Sequence, residues 1–333
     1  MSDENKIEAK YYTKLKNGVA RCDTCPRGCV IKPGGKGYCL NRANENGTLI
    51  SAQYGEVAAA HLDPIEKKPL YHFMPGSRIF SIGTIGCNLG CKFCQNWQLS
   101  RGKSYTDTYT PEQLIQAAIE HNSIGIAYTY NEPLIWYEFV LDCSKAAKAA
   151  GLKNVFVTNG TLNPAPFDEL LPFVDAFNID LKGDAGFYKT MTDSTLEPVL
   201  RNIRKAAKTT HVEVTTLLVS GENDSPGQIA EIVDFVASID RKIPLHFSRY
   251  FPNYKLRNAP TPHESMETAY RIGKAKLDFV FLGNVGGSTA NDTVCPKCGT
   301  MNVSRSGYMT EVISLDGNGG CGNCGYDLKI VES

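Results

Sequence analysis

The chain has 333 residues, more than the ~100–200 of a typical domain, so one large domain with appendages is expected. Thirty-five basic residues balance 35 acidic ones, and a net charge of zero supplies no whole-molecule field for nucleic acid or an anionic membrane. No apolar run is long enough to span a bilayer, and the polar start "MSDENKIEAK" is unlike a secretory signal. These features point to a cytoplasmic protein with no membrane contact and no direct nucleic-acid contact.

Residues 10–76 hold a first group of cysteines, then alternating segments such as "GTLISAQYGEVAAAHL" that read as one or two β-hairpins. From residue 77 the texture changes. Short β-branched runs follow in "RIFSIGT", "SIGIAYTY", "NVFVTNG", "AFNIDLKG", "VEVTTLLVSG" and "IPLHFSRYF", with a shorter "FVFLGN" after them. Helical patterns separate the runs, and three helices open alike, at Thr110, Ser225 and Thr261. Each offers an N-cap hydroxyl, a proline at the first helical position and Gln or Glu at the third, the arrangement of a capping box. After Ser225, the residues Ile229, Ile232, Val233 and Val236 repeat with the period of one buried helix face. Strands alternating with helices predict an α/β fold with a parallel sheet, either open and doubly wound or closed wholly or partly into a barrel.

Both architectures put chemistry at the carboxyl ends of the strands, and polar residues gather there. "SIGT" leads to three cysteines, "AYTY" to Asn131 and Glu132, "FVT" to Asn159, and "FNI" to Asp180 and Lys182. "LHF" leads to Ser248 and Arg249, and "VFLG" to Asn284. Packing gives no reason for polar residues at six strand ends; a ligand-lined mouth does. His246, with Arg249 and Tyr250, is placed as a candidate lining of a substrate pocket.

Twelve cysteines in a reducing compartment read as metal ligands before disulfides. Eleven fall into three groups, and Cys143, in the helical "LDCSKAAKAA", reads as a buried small residue. The central trio is Cys87, Cys91 and Cys94. Thiolates suit zinc or an iron–sulfur cluster, and a site built only for structure takes four protein ligands. Three ligands leave one position open. The trio can hold three corners of a [4Fe–4S] cluster or a zinc completed from elsewhere, or consist of thiols with no metal role.

Cys87-x3-Cys91-x2-Cys94, with Phe93 before the last cysteine, resembles the signature of the radical S-adenosylmethionine (SAM) enzymes. The resemblance implies a partial (β/α)6 barrel and a [4Fe–4S] cluster whose open iron chelates SAM. It further implies reductive cleavage of SAM to a 5′-deoxyadenosyl radical that abstracts hydrogen from a substrate. Glu132, with Asn131, stands where the family binds the SAM amino group, although the family's glycines are absent from "YTYNEP". Phe93 is expected near the adenine through its backbone, and Thr158, Asn159, Asp180 and Lys182 near the ribose and carboxylate. "CDTCPRGC", "DPIEKKPLYHF", "PGS", "GCNLGCKFCQNW", "YTYNEP", "DLKG" and "CPKCG…CGNCG" together resemble the radical SAM member of the AmmeMemoRadiSam system, which is related to pyruvate formate-lyase activating enzymes. Memo-type and AMMECR-type proteins are then expected partners, with a ferredoxin or flavodoxin as electron donor. The Asp-Gly-Pro-Gly-x-Arg segment usual in glycyl-radical activases is not found here. Activation of a glycyl radical enzyme and modification of RNA are the alternative activities, and a multi-metal scaffold is the non-enzymatic one.

Cys295, Cys298, Cys321 and Cys324 form two Cys-x2-Cys pairs, each followed by glycine, in the pattern of a structural zinc ribbon. Iron in a rubredoxin-like site or an auxiliary cluster is the rival occupant. From Val285 onward Lys297, Arg305 and Lys329 face five acidic residues, a poor phosphate-binding surface. Cys22, Cys25, Cys29 and Cys39 fit either zinc or a second iron–sulfur cluster that relays electrons. The expected division is a four-cysteine module over 1–76, a radical SAM barrel over 77–286 and a zinc-ribbon-like domain over 287–333.

Overall fold

The computed structural model describes residues 7–102, 104–286 and 290–332. Its centre is an eight-stranded sheet whose strands lie side by side in chain order. Ala59–Pro64 is the antiparallel edge, followed by Arg78–Gly83, Gly125–Tyr128, Lys153–Thr158, Ala176–Asp180, His211–Leu218, Leu245–Arg249 and Val280–Gly283, all mutually parallel. A doubly wound sheet reverses its strand order at a switch point. This order never reverses, so the sheet is singly wound, and right-handed crossovers then stack the helices on one face.

The strand residues sort by that rule. Phe80, Ile82, Ile126, Tyr128, Phe156, Phe177, Val214 and Phe247 pack in one cluster with residues of the helices Pro111–Glu120, Tyr137–Ala149, Pro164–Leu170 and Pro226–Ala237. On the other face Ile79, Ala127, Val155 and Ala176 pack against Ile65, Leu70, Phe73 and Met74. The 65–74 segment thus covers the opposite face near the strand starts and leaves it open toward their carboxyl ends. Beside this plug, buried Glu213 accepts hydrogen bonds from the His72 amide (2.7 Å), and its oxygens meet ring nitrogens of His211 (3.0 Å) and His246 (2.6 Å). Burial opposes the Glu213 charge, but the two histidines outweigh it and hold the carboxyl well below the ordinary glutamate range.

Two of the three helix caps form as the spacing requires. Thr110 accepts from the Gln113 amide in a complete capping box, and Ser225 caps Gln228. The third does not. The helix His263–Lys274 starts after Pro262 without a side-chain cap, because Thr261 donates to the Leu218 carbonyl and accepts from the Tyr250 amide. Its hydroxyl ties two strand ends together instead.

Ahead of the sheet, Arg42–Glu45 and Thr48–Ser51 form a hairpin. Asn46 and Gly47 turn it, both at positive φ, as a two-residue loop demands. The later part of the expected hairpin pairs differently, since Ala59–Pro64 joins Arg78–Gly83 in the main sheet. At the other end Thr293–Val294, Met301–Ser306 and Met309–Val312 make a small antiparallel sheet. Its Val303, with Leu328 and Ile330 from the segment after it, packs on Tyr71, Phe279 and Phe281. No helix is long and apolar enough to cross a membrane among the described residues.

One buried ion pair holds the N-terminal segment to the sheet layer. Arg42 grips Glu138 with both ends of its guanidinium, at 2.7 and 3.2 Å, and both side chains are buried. Glu138 also accepts from the Lys10 amide. Removing one partner leaves the other charged and unpaired in the interior, which costs about 3–5 kcal/mol. Arg42→Met should lower unfolding stability by that amount in urea titration, while the exposed-pair variant Lys276→Ala should change it by less than about 1 kcal/mol.

Candidate active site

The three central cysteines lie on the loop that follows the strand Arg78–Gly83, at the rim left open by the plug. Every side of that loop is fastened. Asn131 accepts from the Thr84 amide (3.1 Å) and donates to the Gly86 carbonyl (2.9 Å). Arg101 donates to the Cys87 carbonyl (3.0 Å) and to that of Leu89. The Gly90 and Lys92 amides donate to Thr192 and Met191 carbonyls. Asn88 reaches Thr161 and is itself met by the Asn159 amide at 2.9 Å. Gly86 sits at φ +99°, with its α-carbon so close to Cys39 that a β-carbon would stand 2.0 Å from the Cys39 carbonyl oxygen.

Cys87, Cys91 and Cys94 line one cavity of about 590 Å³. Its wall continues with Asn131, Glu132, Thr158, Asn159, Asp180, Lys182, Ser248 and Asn284, which stand at or near the ends of successive strands, and with Thr215 from within its strand. Phe93 reaches this wall too, its ring packed among Phe187, Met191, Val219 and Tyr250. Burial pushes the Cys91 thiol up to about 11 and Cys87 well above the usual cysteine range. Ligation by thiolates therefore releases protons.

Glu132 is buried and held in place from three sides. Its carboxylate accepts from the Thr158 hydroxyl (2.6 Å) and from the Leu134 (2.9 Å) and Asn159 (2.7 Å) amides. Burial nevertheless wins and pushes its pKa up to about 7. No cation pairs with it among the described residues, in contrast to Asp180, whose carboxylate meets the Lys182 ammonium at 2.7 Å. Burial works against the charge on Lys182, but Asp180 and Cys91 overcome it and raise the ammonium above the ordinary lysine range. This pair lines the cavity.

Three other residues placed in a substrate pocket lie away from the cavity wall. His246 is buried against Glu213, with Tyr71 and Phe281 on its ring. Arg249 donates to the Thr261 carbonyl and stacks over Phe251. Tyr250 is buried with its hydroxyl on the Leu256 carbonyl. The intervening Ser248 is the one that reaches the cavity. Sequence reasoning also passed over a cluster at the cavity: Lys67, Lys68 and Tyr130 line it, and behind them Asp63 meets the two ammonium groups at 2.8 and 2.6 Å and accepts from the Tyr130 hydroxyl. The sequence signal was the pair of lysines four and five residues after an aspartate, adjacent to a strand end.

The C-terminal cysteines gather into a different geometry. Cys295 and Cys324 sulfurs are 3.7 Å apart, Cys298 and Cys321 sulfurs 3.6 Å, and all four lie within 4.8 Å of one another. The edge of a tetrahedron with metal–sulfur bonds of the zinc kind is about 3.8 Å. Two matching turns present them, with Gly299 donating to the Cys295 carbonyl and Gly325 to that of Cys321.

A singly wound α/β sheet with three thiols at the end of its first parallel strand and a cavity across its carboxyl rim defines the class. Residues 81–236 of the chain match the family model of the radical SAM superfamily, so the sheet and its rim form a radical SAM domain. The chain is 43% identical over 332 residues to an uncharacterized protein of Methanocaldococcus jannaschii, covering 97% of this chain and 99% of that one. It is 27% identical over 194 residues to the pyruvate formate-lyase-activating enzyme of Clostridium pasteurianum, covering 52% of this chain and 80% of the relative. In fold it is similar to a radical SAM methyltransferase from Sphaerobacter thermophilus, with a TM-score of 0.50 and 13% identity over 89% of this chain and 81% of that one. The superfamily implies a [4Fe–4S] cluster and SAM. The trio fits that group, since three soft donors face one cavity large enough for a nucleoside.

The contact at Gly86 is open to a direct test. Gly86→Ala adds a β-carbon where no space exists and at a backbone angle that L-residues avoid, so it should destabilise the protein by about 2–4 kcal/mol in denaturant titration. An unchanged midpoint would show that the two loops part freely.

Proposed function

We propose that this protein is a radical SAM enzyme in which Cys87, Cys91 and Cys94 hold a [4Fe–4S] cluster and the rest of the rim seats SAM beside a substrate. The observation that carries the reading is the convergence of the three thiols with Glu132, Asn159, Asp180 and Lys182 on a single cavity. When bound, the cluster and SAM supply a 5′-deoxyadenosyl radical for hydrogen abstraction. The chain's own task is to orient and to exclude water. Glu132, buried with no cation beside it among the described residues, is the acceptor for the SAM ammonium. Thr158 and Asn159 keep its oxygens aimed at the cavity, while Asn131 fixes the loop backbone. Lys182, steadied by Asp180, is the counter-charge for the SAM carboxylate, and the Phe93 backbone flanks the adenine. Ser248 and Asn284, farther along the rim, border the substrate.

The singly wound sheet supports a curved partial barrel over 77–286, with the N-terminal module before it and a zinc-binding ribbon over 287–333. The near-tetrahedral sulfur spacing supports zinc in the ribbon. The shared motifs support membership in the AmmeMemoRadiSam system, with Memo-type and AMMECR-type partners, a ferredoxin or flavodoxin as donor and a cytoplasmic setting. Glycyl-radical activation is a second reading, favoured by the likeness to the Clostridium activating enzyme. A glycine-centred EPR signal on a co-encoded protein would decide for it.

Anaerobically reconstituted protein given dithionite and SAM should release 5′-deoxyadenosine, and Cys87→Ala should abolish that release. Retention of activity in the variant would end the proposal. Glu132→Gln should weaken SAM binding about 10–100-fold, as expected for a lost charged hydrogen bond. The carboxyl of Glu132 takes up its proton as pH falls through about 7. SAM affinity in the wild type should therefore drop below that pH, and the drop should vanish in Glu132→Gln, as read by equilibrium binding.

A further inference from the structure

Three cysteine groups in one chain allow a comparison of their spacing. The C-terminal quartet has the sulfur separations of a single tetrahedral ion. Among the described residues it is the group of three or more ligand atoms drawn within 4.8 Å of one another. Neither the trio at Cys87, Cys91 and Cys94 nor any three sulfurs of the N-terminal quartet come together within that distance. That is the difference between one metal and a cubane: each thiolate of a [4Fe–4S] cluster binds a separate iron, so the sulfurs stand farther apart than the edges of one tetrahedron.

The N-terminal thiols are nonetheless neighbours. The Cys22 amide donates to the Cys29 carbonyl (2.9 Å) and the Gly28 amide to that of Cys25 (3.2 Å), folding the loop back on itself. Cys39 lies within electrostatic reach of Cys22 and Cys29, and Cys25 of Cys22 and Cys39. A cavity of about 220 Å³ opens where Cys25 and Arg27 face Asn88 and Thr161. The loop also touches the catalytic one directly. The Cys39 carbonyl packs on Gly86, next to Cys87. Arg27 donates to the Asn88 carbonyl (2.9 Å), and Arg101 links the Tyr38 carbonyl (3.1 Å) to that of Cys87 (3.0 Å). Cys25, Cys29 and Cys39 are only half-buried, so one side of this group faces solvent while another faces the radical site.

We propose that Cys22, Cys25, Cys29 and Cys39 hold a second [4Fe–4S] cluster, placed to pass electrons to the cluster on Cys87, Cys91 and Cys94; the second half of this inference rests on the function proposed above. A one-electron donor protein is the reductant. One electron leaves the donor and reduces the N-terminal cluster from the 2+ to the 1+ state. It then moves across the Cys39–Gly86 contact, returning that cluster to 2+ and reducing the catalytic one to 1+. No bond forms or breaks and no proton moves in this step.

The test is metal content and EPR of full-length protein purified and reconstituted without oxygen. The variant Cys87→Ala/Cys91→Ala/Cys94→Ala should keep about four irons per chain and give a cluster signal on dithionite reduction. Adding Cys22→Ala to that variant should remove the iron, and Cys321→Ala should leave it. A triple variant that binds zinc and no iron overturns the proposal. For the contact, the reduced wild-type spectrum should be broadened by coupling between two paramagnets, relative to the sum of the variants carrying one cluster each. A wild-type spectrum equal to that sum overturns the electron path. Failure to release 5′-deoxyadenosine would count against the proposed function alone, since the triple variant reads the N-terminal site without SAM chemistry.

Discussion

Seven parallel strands laid side by side in chain order bring their carboxyl ends to one rim, and the rest of the structure depends on that constraint. Because the order never reverses, helices cover one face throughout, and the opposite face is left for the chain to close by other means. It does so at one end only. Ile65, Leu70, Phe73 and Met74 fill the space over the strand starts, and the C-terminal sheet braces that plug from outside through Tyr71, Phe279 and Phe281. What remains open is the carboxyl end, where Cys87, Glu132, Asn159, Asp180, Ser248 and Asn284 meet although 197 residues separate the first from the last.

Charges buried in this protein follow two patterns. Arg42 with Glu138, Lys68 with Asp63 and Glu213 with two histidines are satisfied within the chain. Such pairs add little net stability because desolvation offsets attraction, yet each penalises any arrangement that separates the partners. They fix where the N-terminal module, the edge strand and the plug must sit. Glu132 breaks the pattern: among the described residues it has three hydrogen-bond donors and no cation, and burial raises its pKa. A buried carboxylate oriented at that expense, in a cavity wall, is the kind of group that marks functional sites.

Local signals in the sequence carried far, and they fail where a distant partner decides. Strand periodicity, the Thr110 and Ser225 caps, and polar residues at strand ends are properties of a few neighbouring residues, and each appears where expected. Alternation also puts His246 and Ser248 on the same face of their strand. Which of them reaches the cavity depends on depth, and depth is set by Tyr71 and Glu213, distant in the chain. Thr261 resembles a cap in every local respect, but two strand ends compete for its hydroxyl and win. Ala59–Pro64 had equal claim to a local hairpin, and found a partner in Arg78–Gly83 that only the assembled sheet could offer. The Asn46–Gly47 turn, by contrast, needs no distant partner, because both residues take positive φ from their own chemistry.

The central loop differs from the two four-cysteine sites in what must hold it. A quartet such as Cys295, Cys298, Cys321 and Cys324 can be organised by its ion, because four ligands on one centre fix one another. A trio that reserves a position for a substrate lacks that fourth restraint, so the protein must supply the rigidity. The hydrogen bonds from Asn131, Arg101, Asn88, Gly90 and Lys92, together with the Gly86–Cys39 contact, do this from every direction. The density of those restraints around three cysteines is the structural counterpart of the missing fourth. It also explains why the N-terminal module cannot be a detachable appendage: the backbone of Cys39 packs on Gly86, next to Cys87.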